Sequence, residues 1–441
     1  MAATIELKDE AEGKGVATSD FYFARIGDPI PVDFARDGGA RPYGPGRLPS
    51  RPLAVSERFK RVFVAHSRGF CVVRTGDVME SAKGINRGWR SRSVRRLSDA
   101  DVPMRAVGLL SLSPDSLTLA ASGGGTVYFF WVPSLLNKQQ EPFFSCSLDE
   151  GSSVKDMKWL KKRQNSYILM TSRGNLYLGS IDGRLECLMD NVDAVDCSAK
   201  EDYIAVARND SLSILSSKLN EKFHMALSLQ PWTGESDEIS VKVDSLKWVR
   251  PDCIVLGCFQ LTSNGMEEGY LLQVIRTRDG NFFNASSEAI LQSFCDVFPG
   301  IVDDIIPAGR GPHLFFNYLE QRKLAIAANR KNVDQHIILF SWSLGENMNE
   351  AVVVDIDRDN WRPRIELQEN GDDNSILGLC IDKVSMDETV RIQLGVDDQR
   401  DLSPFCVLFC LSLEGNLIMF NVAWYSPLPS PSCFVDCVLP Y

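Results

Sequence analysis

What most constrains this chain is a pairing of short apolar runs that recurs seven times along it. Val62-Phe-Val-Ala65 is followed by Phe70-Cys-Val-Val73 across Ser67-Arg-Gly69, and 117–121 by Thr126-Val-Tyr-Phe-Phe-Trp131 across Ser122-Gly-Gly-Gly125. The arrangement returns at 167–170 with 175–178, 203–207 with 211–215, 253–256 with 269–275, 323–327 with 336–340, and 406–410 with 416–420. β-Branched and aromatic residues fit a pleated surface, and Gly, Asn, Asp and Ser supply tight reversals, so each pair reads as a hairpin. A third run precedes most of them, at 106–110, 154–159, 192–196, 243–248, 301–306 and 376–380. Two of these, Val154-Lys-Asp-Met-Lys-Trp159 and Val243-Asp-Ser-Leu-Lys-Trp248, are near copies. A degenerate repeat of a three- or four-stranded unit, about 40–50 residues long, is the mark of propeller blades. The expected fold is all-β, a seven-bladed β-propeller of the WD40-like kind.

Seven such units occupy about 315 residues, so the rest of the 441 must lie in insertions and termini. The spacing of the hairpins widens along the chain, and residues 345–400 carry long polar stretches, as surface loops between blades do. The Pro- and Gly-rich segment 37–52 reads as a loop. Helix signals are few, 286–294 being a weak candidate. The expected division is a propeller over 1–425 and an atypical tail over 426–441.

Charge is placed unevenly. The total is -11, from 47 Lys and Arg against 58 Asp and Glu. Residues 83–96 hold Lys83, Arg87, Arg90, Arg92, Arg95 and Arg96 with no acid, whereas 346–401 hold 15 acids and 6 bases. The basic segment reads as a solvated insertion, with contact to RNA phosphate or an acidic partner as the alternative. It lacks interleaved aromatics, Trp89 standing alone, so no specific nucleic-acid site is expected. The acidic region reads as a solvated loop or as a docking surface for a basic protein, since complementary charge speeds encounter and fixes register. No apolar run is long enough to span a bilayer, and the acidic start lacks the apolar segment of a secretory signal, so neither insertion nor export is expected. The 12 cysteines then read as reduced, mostly buried thiols.

Little in the chain suggests bond chemistry. There is no nucleophile elbow, no paired-His metalloprotease motif and no Lys after the glycines at 123–125. Four scattered histidines and no Cys-x-x-Cys pair leave little for acid–base catalysis or zinc. A propeller hydrolase or lyase with a metal in the channel is the enzymatic alternative. Asp355, Asp357 and Asp359, with Glu366 eleven residues after the first, resemble a calcium-loop spacing, but Asn360 stands at the sixth position and Pro363 at the ninth. No cofactor and no enzyme activity are expected.

With the blades in view, the chain resembles the N-terminal propeller of the large cytoplasmic-face FG nucleoporins of mRNA export, the CAN type, in their plant form. The resemblance rests on Asp20-Phe-Tyr-Phe-Ala-Arg-Ile-Gly-Asp-Pro-Ile-Pro-Val32, on 359–379, which opens Asp359-Asn-Trp-Arg-Pro-Arg-Ile-Glu366, and on Leu411-Ser-Leu-Glu-Gly-Asn-Leu-Ile-Met-Phe-Asn-Val422. It covers roughly 5–424. It implies a seven-bladed propeller at the cytoplasmic side of the nuclear pore complex in the nuclear envelope. There it would act in mRNA export and nucleocytoplasmic transport, beside other nucleoporins. The implied partner is a DEAD-box RNA helicase, bound through its N-terminal RecA lobe in competition with RNA. Carried over to this sequence, the docking residues are Arg364, Glu366, Asp372 and Asp373, with Asp355, Asp357, Asp359 and Arg362 beside them. The family continues into coiled-coil and FG-repeat regions, whereas this sequence has no Phe-Gly dipeptide and an unrelated run after Ala423, so a truncated or alternatively spliced product is expected. The competing assignment is a propeller scaffold of another complex, such as a ubiquitin-ligase substrate receptor or a coat adaptor.

Overall fold

Strands Cys253–Leu261, Leu324–Asn329 and Pro404–Ser412 are buried along nearly their whole length rather than at alternate residues. A strand that is apolar on both faces needs protein on both faces, and this chain provides it by packing seven sheets around an axis. The computed structural model describes residues 3–4, 7–33, 43, 48–84, 93–163, 165–198, 203–227, 240–278, 280, 282, 288–295, 297–299, 301, 306, 311–334, 336–345, 350–394 and 398–425.

The innermost strands of blades 1 to 7 are Leu53–Ser56, Val107–Leu112, Val154–Trp159, Ala194–Cys197, Ser240–Arg250, Leu314–Leu319 and Ile376–Asp382. Each touches the next, and the last returns to the first, so the ring is closed. Within a blade the first four strands from the axis outward run antiparallel. Among the described residues, every interface between neighbouring blades holds its own apolar cluster. The seven expected hairpins are all present, with bounds shifted by a few residues.

The ring is locked by the N-terminal segment. Phe21–Arg25 pairs antiparallel with Asn416–Trp424 and becomes the outer strand of blade 7. Phe21 and Phe23 are buried there, each worth on the order of 2–3 kcal/mol of transfer free energy. Before it, Ala3–Thr4, Leu7–Glu12 and Lys14–Thr18 add parallel fifth strands to blades 4, 5 and 6. An outermost strand lives on its backbone ladder, so the polar Leu-Lys-Asp-Glu-Ala-Glu of 7–12 serves without an apolar pattern.

Three expectations are corrected. The helix candidate 286–294 contains a strand, Ala289–Phe294, paired with the neighbouring strand of blade 5 and with Leu7–Glu12. Burial between two strands overrides its weak helical preference. The inner strand of blade 6 is Leu314–Leu319, whereas the expected run 301–306 lies mostly outside the described residues. It reverses through the polar turn Glu320–Arg322, with Lys323 at φ 47°, where no glycine marks the turn. The acidic region is not one loop, because Val352–Ile356 and Ile376–Asp382 pass through it as strands and a small hairpin, Val390–Gln393 with Gln399–Leu402, projects from it.

The basic segment is partly resolved into pairs. Lys83, just after helix Thr75–Ala82, donates to Asp387 at 2.6 Å, and Arg95 bonds Asp101 and Asp33 at 2.6 and 3.1 Å. Arg87, Arg90 and Arg92 lie outside the described residues, as do 426–441 and most of 37–47. Of the described cysteines, Cys71, Cys253, Cys258, Cys406 and Cys410 are buried free thiols.

Candidate docking cleft between blades 6 and 7

The outer strand of blade 6, Val352–Ile356, delivers the chain to Asp357, whose carboxylate accepts from Ser19 Oγ at 3.1 Å. A single turn, Asp359–Trp361, then lays the chain against the edge strand Phe21–Arg25. Trp361 is buried in an edge-to-face arrangement with Tyr22 and Tyr425, at 5.4 and 5.5 Å between centroids. The Arg358 guanidinium lies 4.6 Å from the Trp361 ring centroid. Aromatic and cation–π contacts of this kind pin the connection to the body of the propeller.

Beyond Trp361 the chain alternates anchors and exposed groups. Ile365 and Gln368 are buried, while Arg364, Glu366 and Leu367 are exposed. Gln368 donates from Nε2 to the Asp373 carbonyl at 2.5 Å and from its backbone N–H to the Asp372 carbonyl at 2.9 Å. Asn374 Nδ2 donates to the Glu366 carbonyl at 3.1 Å. The segment is therefore held in shape by its own buried amides, which spares its charged side chains for other contacts.

Those charges form a chain of pairs. Arg362 donates from Nη2 to Asp355 at 2.6 Å and from Nε to the Ile356 carbonyl at 2.7 Å. Asp359 lies 3.7 Å from Arg362 and 3.4 Å from Arg364. Arg25 reaches Glu366 from the N-terminal strand at 2.5 Å, and that bond holds the Glu366 carboxyl below its usual range. Asp372 caps its own turn through Asn370, at 2.7 and 3.0 Å.

A cavity of about 490 Å³ opens between the two blades. Asp355, Asp359, Arg362, Arg364 and Asp373 line its mouth, over apolar walls that include Phe23, Leu339 and Val354. So five of the eight residues marked from sequence meet at one cleft. Glu366 turns toward Arg25, Asp357 toward Ser19, and Asp372 toward its own turn. The calcium-like spacing is broken in space, since Asp357 turns to Ser19 and Glu366 to Arg25, away from the Arg362 that Asp355 and Asp359 share, and no cluster of metal-holding side chains forms among the described residues.

Sequence reasoning missed Leu367, 61% exposed at the cleft, and Arg25, which arrives from 341 positions away. A lone Leu among polar residues carries no periodic signal. The site can offer both signs of charge and an apolar knob to a protein surface. Among the described residues it presents no nucleophile–base pair.

A family model described as the NUP159/214 beta propeller matches residues 49–287, more than half of the chain, from just before blade 1 into blade 5. Human nuclear pore complex protein Nup214 is 22% identical over 413 residues, covering 87% of this chain and 18% of its own length. The chain thus spans less than a fifth of that relative. A chain from the S. cerevisiae assembly of a Dbp5 variant bound to Nup159, Gle1, IP6 and ADP superposes with a TM-score of 0.66 at 16% identity, covering 96% of this chain and 100% of that one. The N-terminal domain of Nup159 superposes with a TM-score of 0.65 at 15% identity, covering 95% of this chain and 100% of that domain. Identities this low speak for the fold alone, whereas the family model rests on residues. The chain belongs to the NUP159/214 beta-propeller family, the N-terminal propellers of CAN-type nucleoporins.

Proposed function

We propose that this chain is a noncatalytic docking module that acts at the cytoplasmic side of the nuclear pore in mRNA export, where it binds the N-terminal RecA lobe of a DEAD-box RNA helicase. The observation that carries this reading is the cleft between blades 6 and 7. Its acidic and basic side chains are exposed on a segment pinned by Trp361 and Gln368, so binding orders little that is not already ordered. The family to which the chain belongs, and the fold it shares with a chain of the S. cerevisiae assembly of Dbp5 bound to Nup159, support a helicase as the partner.

Charge pairing on an exposed rim sets encounter rate and register more than affinity, and salt screens it. A pull-down with the helicase lobe, comparing the native chain with Arg364→Glu, tests the assignment. The native chain should retain the lobe at low salt and lose it as salt rises, and Arg364→Glu should retain markedly less. Equal retention by both proteins would remove the cleft from the interface.

A further inference from the structure

The near-copy strands of blades 3 and 5 have a consequence inside the ring. Lys158 and Lys247 occupy the same place in the repeat, each just before the tryptophan of an innermost strand. Ladder register puts Asp196 at the matching place in blade 4, since Lys158, Asp196 and Lys247 oppose Ile168, Ala205 and Val255. Three successive blades therefore present lysine, aspartate and lysine at one level.

The carboxylates nearby are already engaged. Asp156 takes Arg51 Nε at 3.0 Å and Lys158 Nζ at 3.1 Å. Asp196 accepts the Trp248 backbone N–H at 2.9 Å and lies 3.4 Å from Lys158. Among the described residues, Lys247 has no carboxylate within 4.0 Å. Arg51, Lys158 and Lys247 thus face two acids, and the buried Arg330 guanidinium, which donates to the Pro49 carbonyl, adds to the positive field at Arg51. A cavity of about 280 Å³ opens onto Arg51, Lys158, Lys161 and Asp196; Lys247 is not in its lining and adjoins it through Asp196, which accepts the N–H of the next residue, Trp248.

We propose that this part of the central channel binds a small tetrahedral oxyanion of the phosphate class, held by Lys247 and Lys158 with Arg51. Such an ion supplies the negative charge that the belt lacks, and charge-assisted hydrogen bonds to it replace like-charge repulsion. Burial and the neighbouring Lys158 and Arg51 lower the Lys247 amine to about 7, against the opposing pull of Asp196 and Asp156. An anion favours the charged amine, so binding takes up protons near neutral pH and tightens as pH falls through that range.

Inorganic sulfate is the probe, because it does not titrate in this range. Calorimetry on the full 441-residue chain should show saturable binding with proton uptake. Lys247→Met should weaken it about tenfold or more, while Lys242→Met, on the exposed end of the same strand, should leave it unchanged. Asp196→Asn keeps an acceptor for the Trp248 N–H and removes a negative charge, so it should bind sulfate more tightly. In sulfate-free buffer at pH 7, Lys247→Met should melt higher than the native chain. Absence of saturable binding would overturn the proposal. So would equal affinities in Lys247→Met and the native chain, or weaker binding in Asp196→Asn.

Discussion

Arg25 and Glu366 are joined across 341 positions by a bond of 2.5 Å, from the strand that closes the ring to the loop that borders the cleft. The same N-terminal strand therefore completes blade 7 and positions an exposed carboxylate at the edge of the cleft. Arg25→Ala should return the Glu366 carboxyl toward its ordinary range, read directly by NMR titration. Because Glu366 is exposed, the effect on stability should be small, about 0–1 kcal/mol. A depressed carboxyl stabilises the fold above its unfolded value near 4.3, and that small contribution fades as pH falls through the lower folded value.

Trp361 is the buried pin of the cleft segment. Trp361→Ala should cost about 3–5 kcal/mol in denaturant unfolding. It should also weaken helicase binding more than Arg25→Ala does, because Asp359, Arg362 and Arg364 lose their support together. Full binding at full occupancy by the Trp361→Ala protein would separate the pin from the site.

Asp244 and His313 tie blade 5 to blade 6 in the interior. The Asp244 carboxylate accepts from the His313 backbone N–H at 2.8 Å, from Ser245 Oγ at 2.6 Å and from Tyr270 OH at 3.2 Å, with the His313 ring at 2.9 Å. Burial alone would push this carboxyl up, but the His313 ring and these bonds hold it well below the usual range. Its contribution is thus complete above about pH 4 and is lost as pH falls through the depressed folded value. Asp244→Ala should destabilise the chain by about 3–5 kcal/mol at pH 7, with a smaller loss for Asp244→Asn. Chemical denaturation at pH 7 and pH 3 checks both size and sign.

Thiol reactivity should separate the cysteines by position. Burial pushes Cys406 and Cys380 up to about 12, whereas Cys187 is exposed on the outer strand Leu185–Met189. Among the described cysteines, Cys187 should be alkylated first in the native protein, with Cys406 and Cys410 protected until unfolding. Mass spectrometry of briefly treated chain reads the order.

The fold was legible because both faces of each blade are buried, which fills strands such as Pro404–Ser412 with an uninterrupted apolar run, 406–411. The polar strand Leu7–Glu12 was illegible for the opposite reason, since backbone pairing holds it and its side chains carry no pattern. Residues 286–294 misled because local preference yielded to burial between two strands. At the cleft, charge density pointed to the segment around Asp359, and the resemblance named its residues. Nothing in sequence order could bring Arg25 to Glu366, or show that Asp357 turns away to Ser19.

Hydrogen–deuterium exchange on the chain, with and without the helicase N-terminal lobe, tests the proposed docking surface most directly. The partner should slow exchange within 357–375 and along Phe21–Arg25, and leave the outer edge of blade 2 at Phe144–Ser147 unchanged. Protection confined to other blades, with 357–375 exchanging as in the free chain, would contradict it.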